Sequence, residues 1–303
     1  MTRENPRARV PRLAPDDLRG VPNTGVTGTW RLLPLDCQDG PENMAVDEAI
    51  LTLVGEGISP PTLRFYTWQS PWISLGTAQS SRDLDPIGIA SRGWGIVRRA
   101  SGGTAVLHRG QLGYALILPA DHPLWRGDLI SSYQRLAQPI AEGLARLNIR
   151  AEPAAPGLMS RPGDGAPSLA ARLCFCALGP YELLDGHGRK LIGNAQIRRR
   201  AAILQHGTVQ ISGGQEELVA LLSGADETER ASLIHFLRQH VGSLEEAAGR
   251  PIDLEDVAAA ITDGFRQVLG VRLAAGSLDA DERALAAQLA RDRYANPSWT
   301  FRR

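Results

Sequence analysis

Lysine is almost missing from this chain. Of its 33 basic side chains one, Lys190, is a lysine and the other 32 are arginines. A basic excess is missing as well, because 33 Asp and Glu bring the net charge to about zero. That excludes the electrostatic footprint of a general nucleic-acid binder and the composition of an acidic disordered tail. No stretch approaches the roughly 18 apolar residues of a membrane helix, so no membrane partner is expected. The start, Met1 to Gly20, mixes Arg with Pro, Asp and Glu and has no apolar run of the kind a secretory signal needs. Residues 1–28 read as a disordered leader. Cysteine is scarce, with Cys37, Cys174 and Cys176 alone. An odd, sparse set makes no disulfide framework and points to a reducing cytoplasm. A Cys174–Cys176 bridge would close a very tight ring, and Cys-x-Cys without a second pair is no zinc site. No metal is expected.

What is there is globular. Hydrophobic residues make up 43% and charged residues 22%, which suits one large domain or one domain with an appendage. Much Arg, Ala and Gly beside little Lys most simply reflects a genome rich in G and C, but leaves open why one position kept a lysine. Asn43 to Val54 reads as a helix with Met44, Asp47, Leu51 and Val54 near one face. Asp47 on that stripe is either a solvated or capping acid or a group beside a site. Thr62–Tyr66, Trp72–Gly76, Gly95–Arg99 and Tyr114–Leu118 read as short strands, punctuated by Pro60-Pro61, Ser70-Pro71 and Ser101-Gly102-Gly103. Ile130–Leu147 is helical, with Pro139 expected to kink or interrupt it.

Residues 151–168 are rich in Pro, Gly, Ala and Ser and read as a mobile loop. Strand-like runs return at Tyr181–Leu184 and Ile203–Ile211. After about Gly214 the pattern turns helical, with a capping box at Ser243 to Glu246 and N-caps at Asp253 and Asp279. The order does not alternate as strand and helix, so a doubly wound parallel sheet is disfavoured. The expected class is α+β, with mixed, largely antiparallel sheets flanked by helices. Residues 29–214 form the expected catalytic domain and 215–303 a helical part packed on it.

Three segments carry candidate chemistry. In Arg98 to His108 two arginines end a strand and a glycine pair follows. Glycines let backbone amides approach a ligand, and the arginines suit an anion; a hairpin turn with surface arginines is the plain alternative. The segment has neither P-loop nor dinucleotide spacing. In Leu173-Cys174-Phe175-Cys176 a nucleophile needs a nearby cation, because a free thiol near pKa 8.5 is only slightly ionised at neutrality. The plain alternative is a small buried hydrophobe. In Gly188 to Gln196 stands the lone lysine. A compact ammonium with three donors does in a tight site what arginine does not. His108 or His206 as a base for Cys174 would instead make a Cys-His hydrolase, for which no local signature is present.

Read together, these segments resemble the lipoate–protein ligase A and octanoyltransferase superfamily, related to the biotin/lipoate ligase and class II synthetase folds. Asn43-Met-Ala-Val-Asp47-Glu48-Ala49 is similar to its N-M-A-x-D-E-A helix. Pro61 to Tyr66, Trp68, Ser74-Leu-Gly76 and Gln79 resemble its strand pair, and Arg98-Arg99-x-Ser-Gly-Gly-x-Ala-Val-x-His108 its ligand loop. Gly188-Arg-Lys-Leu-Ile-Gly-Asn-Ala-Gln196, Leu204-Gln-His-Gly207 and Tyr294 with Trp299 resemble its lysine segment, following strand and ending. Cys174-Phe175 with Tyr181-Glu182 fits the LipM-type octanoyltransferase branch, which uses a cysteine nucleophile, rather than ligases that activate lipoate with ATP. Asn194 departs from the usual serine, and Thr104 from the glycine common in ligases.

The resemblance implies octanoyl transfer from acyl carrier protein, through a Cys174 thioester, to a lysine of a lipoyl-accepting protein. The glycine cleavage H protein or a dehydrogenase lipoyl domain would be such an acceptor. No cofactor is implied. Lys190 would hold Cys174 ionised and face the oxyanion with amides near Gly193, Asn194 and Ala195. Arg99, Ser101, Gly102, Gly103, Thr104, Ala105 and His108 would line the acyl and pantetheine site, with His206 beside them. Three rivals remain: an ATP-dependent lipoate ligase, in which Cys174 is idle; an octanoyl amidotransferase between lipoyl proteins; and a non-catalytic acyl or lipoyl-domain binder.

Overall fold

In chain order the computed structural model forms β1 (Thr29–Leu32), β2 (Asp36–Gln38), α1 (Gly40–Gly55), β3 (Thr62–Trp68), β4 (Trp72–Leu75), β5 (Gly95–Arg98), β6 (Val106–His108), β7 (Gln111–Pro119) and α2 (Leu129–Ala145). These are followed by β8 (Glu152–Pro153), β9 (Leu183–Leu184), β10 (Ile192–Arg198), β11 (Ala202–Gln210), α3 (Glu227–His240), α4 (Leu254–Leu269), β12 (Arg272–Ala275) and α5 (Ala280–Leu289). The structure describes residues 28–154, 168–179 and 181–302. The expected leader, apart from Gly28, and residues 155–167 of the expected mobile loop lie outside the described residues.

The large sheet runs β10-β11-β7-β3-β1-β12, with β2 also paired to β3. Its long registers, β10–β11, β11–β7 and β7–β3, are antiparallel, while the short ones on β1 and β2 are parallel. A small sheet, β5-β4-β6, stands beside it and carries the Arg98 loop. This is the mixed α+β class expected, with helices flanking the sheets. The C-terminal part is mainly helical, but its β12 adds a parallel strand beside β1.

Helix α1 starts at Asp39, whose carboxylate accepts from the Glu42 amide while Glu42 reaches back, a complete capping box ahead of Pro41. It is apolar nearly all round, and Met44, Ala45, Val46, Ala49, Ile50, Leu51, Leu53 and Val54 are all buried. It packs against β7 and β11 on one side and α5 on the other. A helix enclosed this way buries its polar members too, which is why Asp47 is 2% exposed. Arg64 on β3 answers it at 2.8 Å. A buried carboxylate needs such a partner.

Helix α2 runs through Pro139 without interruption, one of the two outcomes expected there being a kink or a break. It lies so close to α4 that a side chain at Gly143 would start 2.5 Å from the Ala260 carbonyl, and one at Gly264 2.0 Å from that of Pro139. Burial along this contact outweighs the roughly 3 kcal/mol a helix proline costs. Other corrections are local. Tyr181 is a turn residue and Glu182 lies outside the strand, which is only Leu183–Leu184, paired with Glu152–Pro153 inside the expected loop. Ser243 caps the Glu246 amide at 3.3 Å, Asp279 makes a full capping box, and Asp253 sits at the N-cap position without a side-chain bond.

His122 joins this core edge-on to Trp30, with ring centroids 5.5 Å apart, and its Nδ1 accepts from the Leu124 amide. Burial pulls its pKa down to about 4. A folded-state pKa below the unfolded value of 6.5 means the native state binds the proton later. The stability His122 contributes is therefore complete above pH 6.5 and lost as pH falls toward 4. His122→Asn keeps a cap acceptor but cannot charge. Its denaturant midpoint is expected to fall less steeply than wild type across that window.

Candidate active site

The site forms where three distant segments meet. Strand β5 delivers Arg98 and Arg99, and the Ser101 to Thr104 loop then returns to β6. Ala105 bridges Leu173 in parallel, and the Cys174 amide donates to the Ala105 carbonyl at 3.0 Å. This seats the short 3-10 turn Cys174–Cys176 on the loop. Strands β10 and β11 close the other side, pairing Asn194 with Gly207 and Ala195 with His206. Between them lies an open cleft reached by Cys174, Phe175, Arg99, His108, Asn194 and His206. Trp68, Tyr66 and Met44 complete its apolar wall.

Arg98 and Arg99 are not surface arginines, at 0% and 5% exposed. Arg98 bonds the carbonyls of Gly76, Gln79 and Thr300, tying the loop to the chain's end. Arg99 donates to Ser74, Gly102 and Thr104, so its fork shapes the glycine loop from inside. The loop is tightly seated, since a side chain at Gly76 would begin 1.7 Å from the Gly103 carbonyl. Burial pulls the Arg99 guanidinium below its usual range, and a Cys174 thiolate opposes that pull. A side chain at Gly103 would start 2.8 Å from Arg99 Nη2 and 3.8 Å from Cys174 Sγ.

The two cysteines of the turn differ in kind. Cys174 is half-buried at the cleft, and Cys176 is buried in the cluster with Leu169, Leu173 and Leu237. Burial pushes the Cys176 thiol up to about 12, which keeps it protonated at neutral pH. Lys190 is 3% exposed and its three protons are committed. Its Nζ reaches Glu182 at 2.7 Å, the Ala177 carbonyl at 2.8 Å and the Cys174 carbonyl at 3.2 Å. It therefore holds the backbone of the cysteine turn, with Phe175's ring 5.1 Å from the ammonium. Glu182 is the lysine's counter-ion. Burial raises its carboxyl pKa, opposed by Lys190 and by the Gly179 and Asn194 amides. Tyr181, just before it, takes φ +60°, a conformation bulky residues seldom adopt.

The histidines are separate from the thiol. His108 stacks on Trp68 with centroids 4.0 Å apart and meets Ser74 Oγ at 2.8 Å. Burial, then the Arg99 charge, holds its pKa well below 6.5, so it is neutral. His206 joins Asp47 at 3.1 Å through Nδ1 and Ser101 Oγ at 2.6 Å through Nε2. Both of its nitrogens are thus engaged away from Cys174. Asn194, in place of serine, accepts from the Tyr114 hydroxyl at 2.5 Å, which leaves its amide nitrogen to donate. Thr104 stands in the loop with its carbonyl on Arg99.

The lipoyl protein ligase A/B catalytic domain family matches residues 39–266. The chain belongs to that family. An octanoyltransferase LipM of Kyrpidia tusciae is 37% identical over 91% of this chain and 99% of its own length. Another, of Moorella thermoacetica, is 38% identical over 91% of this chain and 98% of its own. These relatives place the chain in the octanoyltransferase branch, as an acyltransferase. Among solved folds, the bipartite lipoate protein ligase of Thermoplasma acidophilum, studied with its E2 lipoyl domain, superposes with a TM-score of 0.73. It is 22% identical and covers 90% of this chain and 96% of its own. An ATP-bound lipoate-protein ligase A gives 0.71 at 22% identity, with 90% and 99% covered.

Proposed function

We propose that this chain transfers octanoyl from acyl carrier protein to a lysine of a lipoyl-accepting protein through a thioester on Cys174. One observation supports this reading above the others: a half-exposed thiol stands in the cleft opposite the buried Arg99 cation. Cys174 attacks the donor thioester, the C–S bond to the acyl group forms, and the pantetheine thiol leaves. The acceptor amine then attacks the enzyme thioester and forms an amide, so two easier steps replace one. Arg99 stands across Gly103 from the thiol, and Lys190 holds the turn that carries it. The Asn194 side-chain amide faces the oxyanion. Ser101 to Thr104, His108 and the β10–β11 wall frame the acyl and pantetheine site. Each methylene laid against Trp68, Tyr66 and Met44 contributes about 0.8 kcal/mol toward chain-length selection.

Amide formation from a thioester is downhill, so no ATP and no other cofactor takes part. Free thiols at Cys174, Cys176 and Cys37 suit a reducing cytoplasm. The assay that decides is transfer to an apo lipoyl domain from octanoyl-acyl carrier protein without ATP, against transfer from free octanoate with ATP. The first is expected to proceed and the second to stay at background. The reverse result makes the chain a ligase. Octanoyl taken only from an already modified lipoyl protein makes it an amidotransferase, and tight binding with neither turnover makes it a binder.

A further inference from the structure

Resting on the reading of a carrier-protein donor, we propose that the arginine turn between β10 and β11 is where that donor docks. Arg198 and Arg200 would take the phosphodiester of its phosphopantetheine arm, and Arg126, Leu129 and Ile130 would seat the carrier protein beside it. Arg198, Arg199 and Arg200 follow one another and are all exposed. Arg199 is already committed, to Glu48 and Thr52 on α1. Arg198 meets neutral oxygens: Ser132 Oγ at 2.8 Å, Gln196 Oε1 at 3.1 Å and the Asp128 carbonyl at 3.5 Å. Among the described residues the side chains of Arg200 and Arg126 have no hydrogen-bond or ion-pair partner. A guanidinium that holds no carboxylate keeps its fork for an incoming oxyanion.

The ground beside the turn suits a protein partner. The Asp128 contact puts Arg198 against the start of α2, where Leu129 is 45% and Ile130 41% exposed. They are the one adjacent pair among the large apolar side chains exposed in the described residues. Arg126 precedes them, and its carbonyl is held by Arg135 at 2.7 Å. An apolar spot rimmed by arginines is the composition of a contact surface for an anionic partner. The acids in these segments are Asp121 and Asp128, and the Asp128 carboxylate accepts from the Ser131 amide.

The turn also stands at the right reach from the cleft. Residues 194, 196 and 198 alternate onto one face of β10. Their bonds agree: Gln196 and Arg198 both meet Ser132 Oγ, at 3.0 and 2.8 Å. Gln196 donates to Gln205 at 2.6 Å, Gln205 to the Tyr114 hydroxyl at 3.0 Å, and that hydroxyl to Asn194 at 2.5 Å. Asn194 lines the cleft that Cys174 enters. Four residues of strand put Arg198 roughly 14 Å from Asn194. The arm has about thirteen bonds from sulfur to phosphorus, and three bonds of extended chain span roughly 3.3–3.6 Å, so it reaches roughly 15 Å. A thioester in the cleft therefore leaves the phosphate at the turn. Amide and hydroxyl side chains border the path between, which suits the amides of the arm.

The experiment uses the full-length chain and two donors, octanoyl-acyl carrier protein and octanoyl-pantetheine, which has the same thioester and no phosphate. Loading of Cys174 is followed by intact mass in single turnover. Arg198→Gln with Arg200→Gln is expected to raise the half-saturating concentration of the carrier-protein donor at least about tenfold, and that of octanoyl-pantetheine less than about twofold. Arg200→Gln alone, which breaks no contact in the structure, should show the same split at smaller size. Added salt should weaken loading from the carrier protein more in wild type than in the double variant, because exposed charges are screened. Arg92→Gln with Arg250→Gln removes the same charge elsewhere and should leave both donors within about twofold. Equal losses with the two donors, or a loss confined to transfer onto the acceptor domain, overturns the docking point and leaves Cys174 standing. If wild type forms no adduct, the Cys174 reading falls and binding decides the docking point. Fluorescence anisotropy of labelled octanoyl-acyl carrier protein should still show the tenfold loss in the double variant. Equal affinity overturns it.

Discussion

Cys174→Ala is expected to abolish transfer, by at least about 10³-fold, and to leave no octanoyl adduct on the protein. The fold should survive unchanged. The structure uses the Cys174 backbone, through its amide to Ala105 and its carbonyl to Lys190, and leaves the side chain half exposed at the cleft. Alanine keeps both backbone bonds. Cys176→Ala is the internal control, since that thiol is buried and held protonated. Its transfer rate should stay within a few fold of wild type. Intact-mass measurement after mixing with octanoyl-acyl carrier protein reads both variants. An adduct persisting in Cys174→Ala, or vanishing in Cys176→Ala, would move the nucleophile.

Lys190→Met should carry the next largest effect, and on stability as well as rate. Methionine roughly keeps the length of the stem but removes the ammonium. The Glu182 carboxyl, 8% exposed, then loses its counter-ion, and two carbonyls of the cysteine turn lose their donor. Breaking one side of a buried pair costs roughly 3–5 kcal/mol. With the turn loosened, transfer should fall by about 10²-fold. The pH dependence has a definite sign. Burial raises the folded-state pKa of Glu182 above its ordinary 4.5, so its contribution is fully present below that value and is lost as pH rises through the folded pKa. Lys190 is the largest influence opposing that rise. The deficit of Lys190→Met should therefore be smallest in acid, where Glu182 is neutral, and grow toward neutrality. Denaturant melts across that range check it. Adding Glu182→Gln should recover part of the stability and none of the activity, which separates the charge pair's role in folding from its role in shaping the turn.

The candidate segments were legible because each is local. Arg98 to His108, Leu173 to Cys176 and Gly188 to Gln196 are short runs whose residue types suit their chemistry, and the structure brings all three to one cleft. The hydrophobic period placed most strands within a residue or two. It placed α1 as well, and only the extent of its burial went beyond one face, because this helix is enclosed. Pro139 does not break its helix, because the local penalty is offset by the helix packed against it. Tyr181 looked like strand and is a turn residue, its unfavourable backbone held by the bond from its amide to the Ala154 carbonyl.

By itself the sequence determined the family, the α+β class, the order of the site segments and the oddity of a single lysine. Only the tertiary structure decided what those residues do to one another. It placed Arg99 in the same cleft as Cys174 and committed Lys190 to Glu182 and two backbone carbonyls. It also joined Asp47 to His206, 159 positions apart. The physical reason is that a side chain's chemistry is set by its hydrogen-bond partners and its burial. Here those partners come from helices, strands and loops that only the packing of the core brings within 3 Å.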